Sequence, residues 1–204
     1  QAIATIEHRG PDGTRSFQDQ HCTLGFSRLK VIDLSEEAMQ PFTDSESGLT
    51  IVYNGEIYNY KELRKKTKNQ NYRSQSDTEV ILKLYQERGR DCLEDLRGMF
   101  AFAIWDSRSK KLFLARDRFG IKPLFFSNSK SFAFASEIKA ILSLGVPSTP
   151  NIGVVARYLD LGWNGTGTET FFDGIEALEP AHWMEWENGQ VTKGCYWKLE
   201  ETVD

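Results

Sequence analysis

No stretch of this chain is apolar for long enough to cross a bilayer. The longest apolar run, Met99 to Trp105, is roughly a third of the length of a spanning helix, so no membrane partner is expected. No block of five like charges occurs, and 25 basic against 29 acidic side chains leave a net charge of −4, which argues against a nucleic-acid partner. Cysteine is scarce: Cys22, Cys92 and Cys195 are odd in number and widely spaced. That excludes a disulfide framework and a zinc site, leaves the metal assignment at none, and points to a reducing, cytoplasmic setting. No signal-peptide pattern opens the chain, and no initiator Met does either, so residues upstream of Gln1 are expected to exist. Repeats, low-complexity tracts and obvious linkers are also missing. What is there is an ordinary globular composition, 40% hydrophobic and 12% aromatic over 204 residues, enough to build a substantial core.

The pattern along the chain alternates short strands with clustered helices. Ala2 to Glu7 reads as the tail of a helix, stopped by the loop His8 to Gly13 with its two glycines and a proline. Cys22 to Leu29 reads as a strand that Lys30 to Ile32 extends, and Asp33 to Phe42 as a loop. Leu49 to Tyr53 is a β-branched, aromatic run leading into Asn54-Gly55, where a turn is expected, with a helix over Tyr60 to Lys68 behind it. Ser76-Asp77-Thr78-Glu79 opens a stronger helix: Val80, Ile81, Leu84 and Tyr85 share one face, and Ser76 with Glu79 matches a capping box. Met99 to Trp105 is apolar at both parities, the mark of a strand buried on both faces. Hairpins follow at Ser107 to Lys110, around Asn128 and at Asn188-Gly189. Between the last two lie helices over Glu137 to Leu144 and near Val154 to Leu159, then a Gly/Thr-rich loop from Gly162 to Thr170. Four tryptophans (Trp163, Trp183, Trp186 and Trp197) crowd the last quarter, as core or as cover for a partner domain. Meanders of short strands, helices in runs and one doubly buried strand indicate α+β layers, two stacked sheets with helices outside.

Three separated features suit one chemistry. A free amino acid presents a carboxylate and an ammonium, so holding it takes one fixed cation and one fixed anion. Arg28, at a strand end, offers a planar fork for the carboxylate. Asp77, at a helix start, offers an acceptor for the ammonium, although a helix cap is the plainer role for it. The Asn54 amide and the Gly55 N–H can sit on a carbonyl oxygen between them, although Asn-Gly is also the commonest hairpin turn.

Six motifs stand in an order that resembles a known family. They are His8 to Asp12, Arg28-Leu29-Lys30-Val31-Ile32-Asp33, Gln40-Pro41, Asn54-Gly55-Glu56-Ile57-Tyr58-Asn59, Ser76 to Glu79 and Arg116 to Leu124. Together they are similar to the glutaminase domain of glutamine-hydrolysing asparagine synthetases, a class II amidotransferase. The likeness runs from about Ile6 to Trp197. It implies a four-layer αββα sandwich of the N-terminal-nucleophile hydrolase type over residues 1–197, with 198–204 beginning a linker. It also implies roles: Arg28 for the glutamine carboxylate, Leu29, Lys30, Val31 and Ile32 lining the pocket, Asn54 and Gly55 as oxyanion hole, and Glu56 and Asp77 for the α-amino end.

The chain departs from that family pattern twice. The family's nucleophile is an N-terminal cysteine in an opening strand well before the position of His8, whereas seven residues precede His8 here and none is cysteine. Cys22 is expected to be an inert core thiol. The Ser-Gly-Gly-x-Asp loop that holds ATP pyrophosphate in the synthetase half is also missing. The domain itself is thus expected to need no cofactor, with ATP and Mg confined to a C-terminal synthetase domain of the same protein, its partner in the reaction. Assembly as a homodimer is compatible with the resemblance. The leading expectation is hydrolysis of glutamine to supply ammonia for amidation of aspartate. Its rivals are an amidotransferase with another acceptor and a nucleophile-less binding or structural module.

Overall fold

The computed structural model describes residues 1–129, 131–162 and 167–199. After a 3-10 helix over Ile3–Arg9 come β1 (Thr14–Gln18), β2 (Thr23–Ser27), β3 (Phe42–Asp44) and β4 (Leu49–Ile57). Helices α1 (Tyr60–Lys66) and α2 (Asp77–Arg88) follow, then β5 (Gly98–Asp106), β6 (Lys111–Arg116), β7 (Phe125–Ser127) and β8 (Ala133–Ala135). The rest comprises α3 (Ile138–Leu142), α4 (Ile152–Leu161), β9 (Glu176–Ala177), β10 (His182–Glu187) and β11 (Gln190–Cys195).

Six strands form the main antiparallel sheet in the order β11-β10-β6-β5-β4-β3. Its centre is β5, where every residue from Phe100 to Trp105 is buried, in keeping with its apolar character at both parities. Alternation along the strands sends Ile51, Tyr53, Phe100, Phe102 and Ile104 toward the helices, where they pack on Val80, Ile81 and Leu84 of α2. It sends Val52, Ala101, Ala103 and Trp105 the other way, against Leu24 of β2 and Phe126 of β7. That second face meets two smaller sheets, β1-β2 and β8-β7-β9. Outside them, Ile141 of α3 and its neighbours pack against Ala133 and Phe125. The layers therefore run helix, sheet, sheet, helix: an αββα sandwich in the α+β class.

Most expected elements form, and the misses have identifiable causes. Asn188 and Gly189, both with positive φ (50° and 83°), turn the β10-β11 hairpin as the Asn-Gly pair requires. Trp183 and Trp186, three apart on β10, serve opposite faces of the sheet and pack into different cores. At Asn54-Gly55, by contrast, there is no turn. β4 runs through the pair to Ile57, because β5 supplies partners as far as Ile57 opposite Gly98. Lys30 to Ile32 do not extend β2. Arg28 exchanges backbone hydrogen bonds with Asp12 and Gly13 (2.9 and 2.8 Å), and the Lys30 N–H turns to the Asp12 carboxylate at 2.8 Å. The capping box stays open as well. Ser76 caps α2 by accepting from the Thr78 N–H, but Glu79 binds the N–H groups of Arg73 and Ser74 and the Ser74 hydroxyl instead. Residues 163–166, with Trp163 and part of the Gly/Thr loop, and residues 200–204 of the expected linker lie outside the described residues. Among the described residues no helix is long and apolar enough to cross a membrane.

Candidate functional site

A cavity of about 930 Å³ opens on the face of the main sheet that carries Val52 and Asn54, near the upper end of the usual range for small-molecule sites. One end is polar, lined by Arg28, Asn54, Gly55, Glu56 and Asp77, with Leu29 to Ile32 at its border. The other end runs between the sheets past Leu24, Ala103, Trp105, Phe132 and Trp186. Residues spread over the first eighty positions thus share one hollow.

Sheet geometry makes the polar end. β3 pairs only with Leu49 to Ile51, so beyond Ile51 the outer edge of β4 has no strand beside it among the described residues. In an antiparallel ladder, alternate N–H groups point to the same side. The Tyr53 N–H points outward and is taken by the Gln40 side-chain oxygen at 2.6 Å. The Ile57 N–H points outward too and is taken by Asp77 Oδ2 at 3.0 Å. Gly55 lies between them, so its N–H faces the same open edge. Its cross-strand partner agrees: Phe100 directs its own N–H and carbonyl to Asp117 on the far side. Gly55 has to be glycine, since a Cβ there would sit 2.2 Å from the Met99 carbonyl oxygen.

Four side chains lining the hollow carry a buried polar atom with no hydrogen-bond partner, Ser27, Arg28, Asn54 and Trp186, and two of these, Arg28 and Asn54, belong to the polar set above. Arg28 is 4% exposed. Its Nη2 donates to the Asp33 carbonyl at 2.6 Å, while Nη1 is buried with no hydrogen-bond partner and lies 3.7 Å from Glu36. The Asn54 amide nitrogen is likewise buried without a partner. Native interiors rarely leave such donors unpaired, and each costs about 1–3 kcal/mol unless a ligand or water meets it.

Acid groups frame these donors. Asp77, in the first turn of α2, is buried, and desolvation holds its carboxyl above the usual range, although the Ile57 N–H and the Tyr53 hydroxyl (2.8 Å) partly offset this. Asp33 goes the opposite way. Burial opposes its charge, but hydrogen bonds from Ser35 and the Gln75 N–H, with the Arg28 charge nearby, outweigh it and hold the carboxyl below its usual range. Through those bonds Asp33 straps the segment after Arg28 to the lead-in of α2. Glu56 follows Gly55 on the cavity wall. The sequence reading did not single out Asp33, Gln40, Tyr53 or Glu79 as supports of the site. Asp33, Gln40 and Glu79 stand within the six motifs, but nothing in their spacing reveals these partners.

None of the three thiols suits nucleophilic work. Burial pushes Cys22 and Cys92 up to about 12, where the thiolate is negligible at neutral pH. Cys195 is exposed at the distant sheet edge and donates to the Trp197 carbonyl at 3.1 Å.

Comparison with known proteins meets this geometry. Residues 1–197 match the family model described as a glutamine amidotransferase domain. Asparagine synthetase [glutamine-hydrolyzing] 2 of Bacillus subtilis is 38% identical over 208 residues, an alignment covering 97% of this chain and 27% of that protein. The amidase chry2 of Gibberella zeae is 36% identical, over 98% of this chain and 30% of its own length. The chain thus spans about a third or less of these two relatives. A solved structure of glutamine phosphoribosylpyrophosphate amidotransferase from Bacillus subtilis, with ADP and GMP, aligns with a TM-score of 0.68. It is 18% identical and the match covers 96% of this chain and 45% of that one, a likeness of fold.

Proposed function

The chain belongs to the glutamine amidotransferase domain family, and from that premise we propose that it binds glutamine at the polar end of the cavity for hydrolysis to glutamate and ammonia. The observation that carries this is the pair of buried, unpartnered donors, Arg28 Nη1 and Asn54 Nδ2, in one hollow with Asp77. Arg28 holds the α-carboxylate through Nη1, which makes no hydrogen bond within the fold. Asp77 and Glu56 hold the α-ammonium. Leu29, Lys30, Val31 and Ile32 border the pocket. The side-chain amide then lies against Asn54 Nδ2 and the Gly55 N–H, two donors aimed where negative charge develops.

Hydrolysis by the family's route needs a thiolate. It attacks the amide carbon, the oxyanion rests on Asn54 and Gly55, and the C–N bond breaks to release ammonia as the nitrogen takes a proton. Water then cleaves the thioester to glutamate and regenerates the thiol. We assign the nucleophile to a residue preceding Gln1. Two open strand edges support an additional strand there: β2 pairs only with β1 and β8 only with β7 among the described residues, and residues of both line the same cavity. The asparagine synthetase names of relatives are consistent with amidation of aspartate as the fate of the ammonia; ATP and Mg are assigned, as part of this reading, to a synthetase domain elsewhere in the protein.

The test uses the full-length protein and 6-diazo-5-oxo-norleucine, an alkylating glutamine analogue. Covalent labelling upstream of Gln1, blocked by glutamine and accompanied by glutamine-dependent ammonia release, is expected. No labelling and no ammonia would favour a binding module. Release of asparagine when aspartate and ATP are added decides the acceptor.

A further inference from the structure

Asp77 is not presented to the cavity by its helix alone. The Tyr53 hydroxyl donates to its Oδ2 at 2.8 Å, and the Ile57 N–H donates to the same oxygen at 3.0 Å. Tyr53 itself is fixed at both ends: its backbone N–H is held by Gln40, whose amide also reaches the Thr78 hydroxyl at 3.3 Å. Burial first, and the Asp77 charge second, hold the Tyr53 phenol well above its ordinary value of 10.0, so it remains a donor. One face of β4 is thus tied to the first turn of α2 by bonds that leave the cavity face of Asn54 untouched.

We propose that Tyr53 is a positioning residue that sets the preference of this pocket for an α-amino acid over the same acid lacking its amino group, by fixing Asp77 through Oδ2 so that its other oxygen meets the ligand's ammonium. This rests on the glutamine reading above and names the residue that makes it selective. The Tyr53 ring packs among Ile51, Val80 and Phe102 on the helix side of β4, while the residue also borders the cavity. Its hydroxyl is spent on the Asp77 carboxylate, and the influence proposed passes through that bond.

The experiment is calorimetric titration of the full-length protein with glutamine and with glutaramate, which is glutamine without its α-amino group. Tyr53→Phe keeps the ring in its core and removes only the donor. It is expected to weaken glutamine about tenfold, the scale of a hydrogen bond to a charged group, and to leave glutaramate within about twofold. In the Asp77→Asn background the same change should add nothing, because its route is gone. Equal loss for both ligands marks a packing effect and overturns the proposal, as does no loss for either. A further loss of glutamine affinity in the Asp77→Asn background also overturns it. A wild-type protein that binds no glutamine fails the underlying reading, a separate result from a wild type that binds while Tyr53→Phe is silent.

Discussion

Two arginines stand at the ends of strands in this chain, Arg28 buried and Arg116 half-buried, and they use their donors in opposite ways. Arg116, at the end of β6, gives three bonds to the carbonyls of Lys122, Leu178 and Gly120 (2.8, 2.6 and 2.8 Å). The adjoining Asp117 accepts from the N–H groups of Phe100, Phe119, Ile121 and Lys122. That loop closes on itself. Arg28, just after β2, gives one bond to the Asp33 carbonyl and leaves a buried nitrogen without a hydrogen bond, 3.7 Å from the exposed Glu36, and the Asn54 amide nitrogen is likewise unbonded. Both regions read as charged, family-like motifs in sequence. What separates them is whether the polar groups are satisfied within the fold, and only the unsatisfied pair has capacity left for a ligand.

The contrast can be broken by mutation, and the largest effect is expected on the closed side. Asp117→Ala orphans four backbone donors and should cost at least about 3 kcal/mol of stability, with each unmet buried donor costing about 1–3 kcal/mol. Urea unfolding reads this, and a loss below about 1 kcal/mol would mean the loop is not the tie described. On the open side, Asn54→Ala should cost about 2.7–4 kcal/mol of transition-state stabilisation, as loss of one oxyanion donor does elsewhere. In the full-length enzyme that appears in kcat, with glutamine affinity nearly unchanged; the reverse pattern would make Asn54 a binding residue. Arg28→Lys replaces a fork by a point charge and should raise KM for glutamine about tenfold, with the urea midpoint barely moved.

The smallest effect concerns Asp77 and pH. Burial raises its carboxyl above the ordinary 3.8, so the native state keeps this proton to higher pH than the unfolded chain does. Its contribution is therefore present below that value and is lost as pH rises through the raised one. Asp77→Asn should accordingly be as stable as wild type near neutrality or slightly more so, while binding glutamine measurably more weakly. A thermal midpoint several degrees lower at pH 7 would contradict this.

Sequence carried the architecture well because hydrophobic parity and turn chemistry are local. The double burial of Phe100 to Trp105, the Asn188-Gly189 hairpin and the Ser76 cap all follow from near neighbours. It carried the site less completely, since the site depends on what lies beside β4. Asn54-Gly55 reads as a turn to any local rule, yet a long partner strand keeps it extended and a short one leaves its edge uncovered. Arg28, Asn54, Glu56 and Asp77 were visible as residue types. Gln40 and Tyr53 were not visible as braces, because a glutamine before a proline and an aromatic in a strand are ordinary until their partners are known.

The three-residue β3 has a consequence for evolution. In the proposed oxyanion site, one donor is a side chain that a codon change can delete, and the other is main chain that only proline removes. Selection can therefore silence Asn54 in one step. The amide of Gly55 persists through any substitution that leaves the strand extended, and a decayed copy of this domain would keep half of its polarising apparatus long after losing the rest.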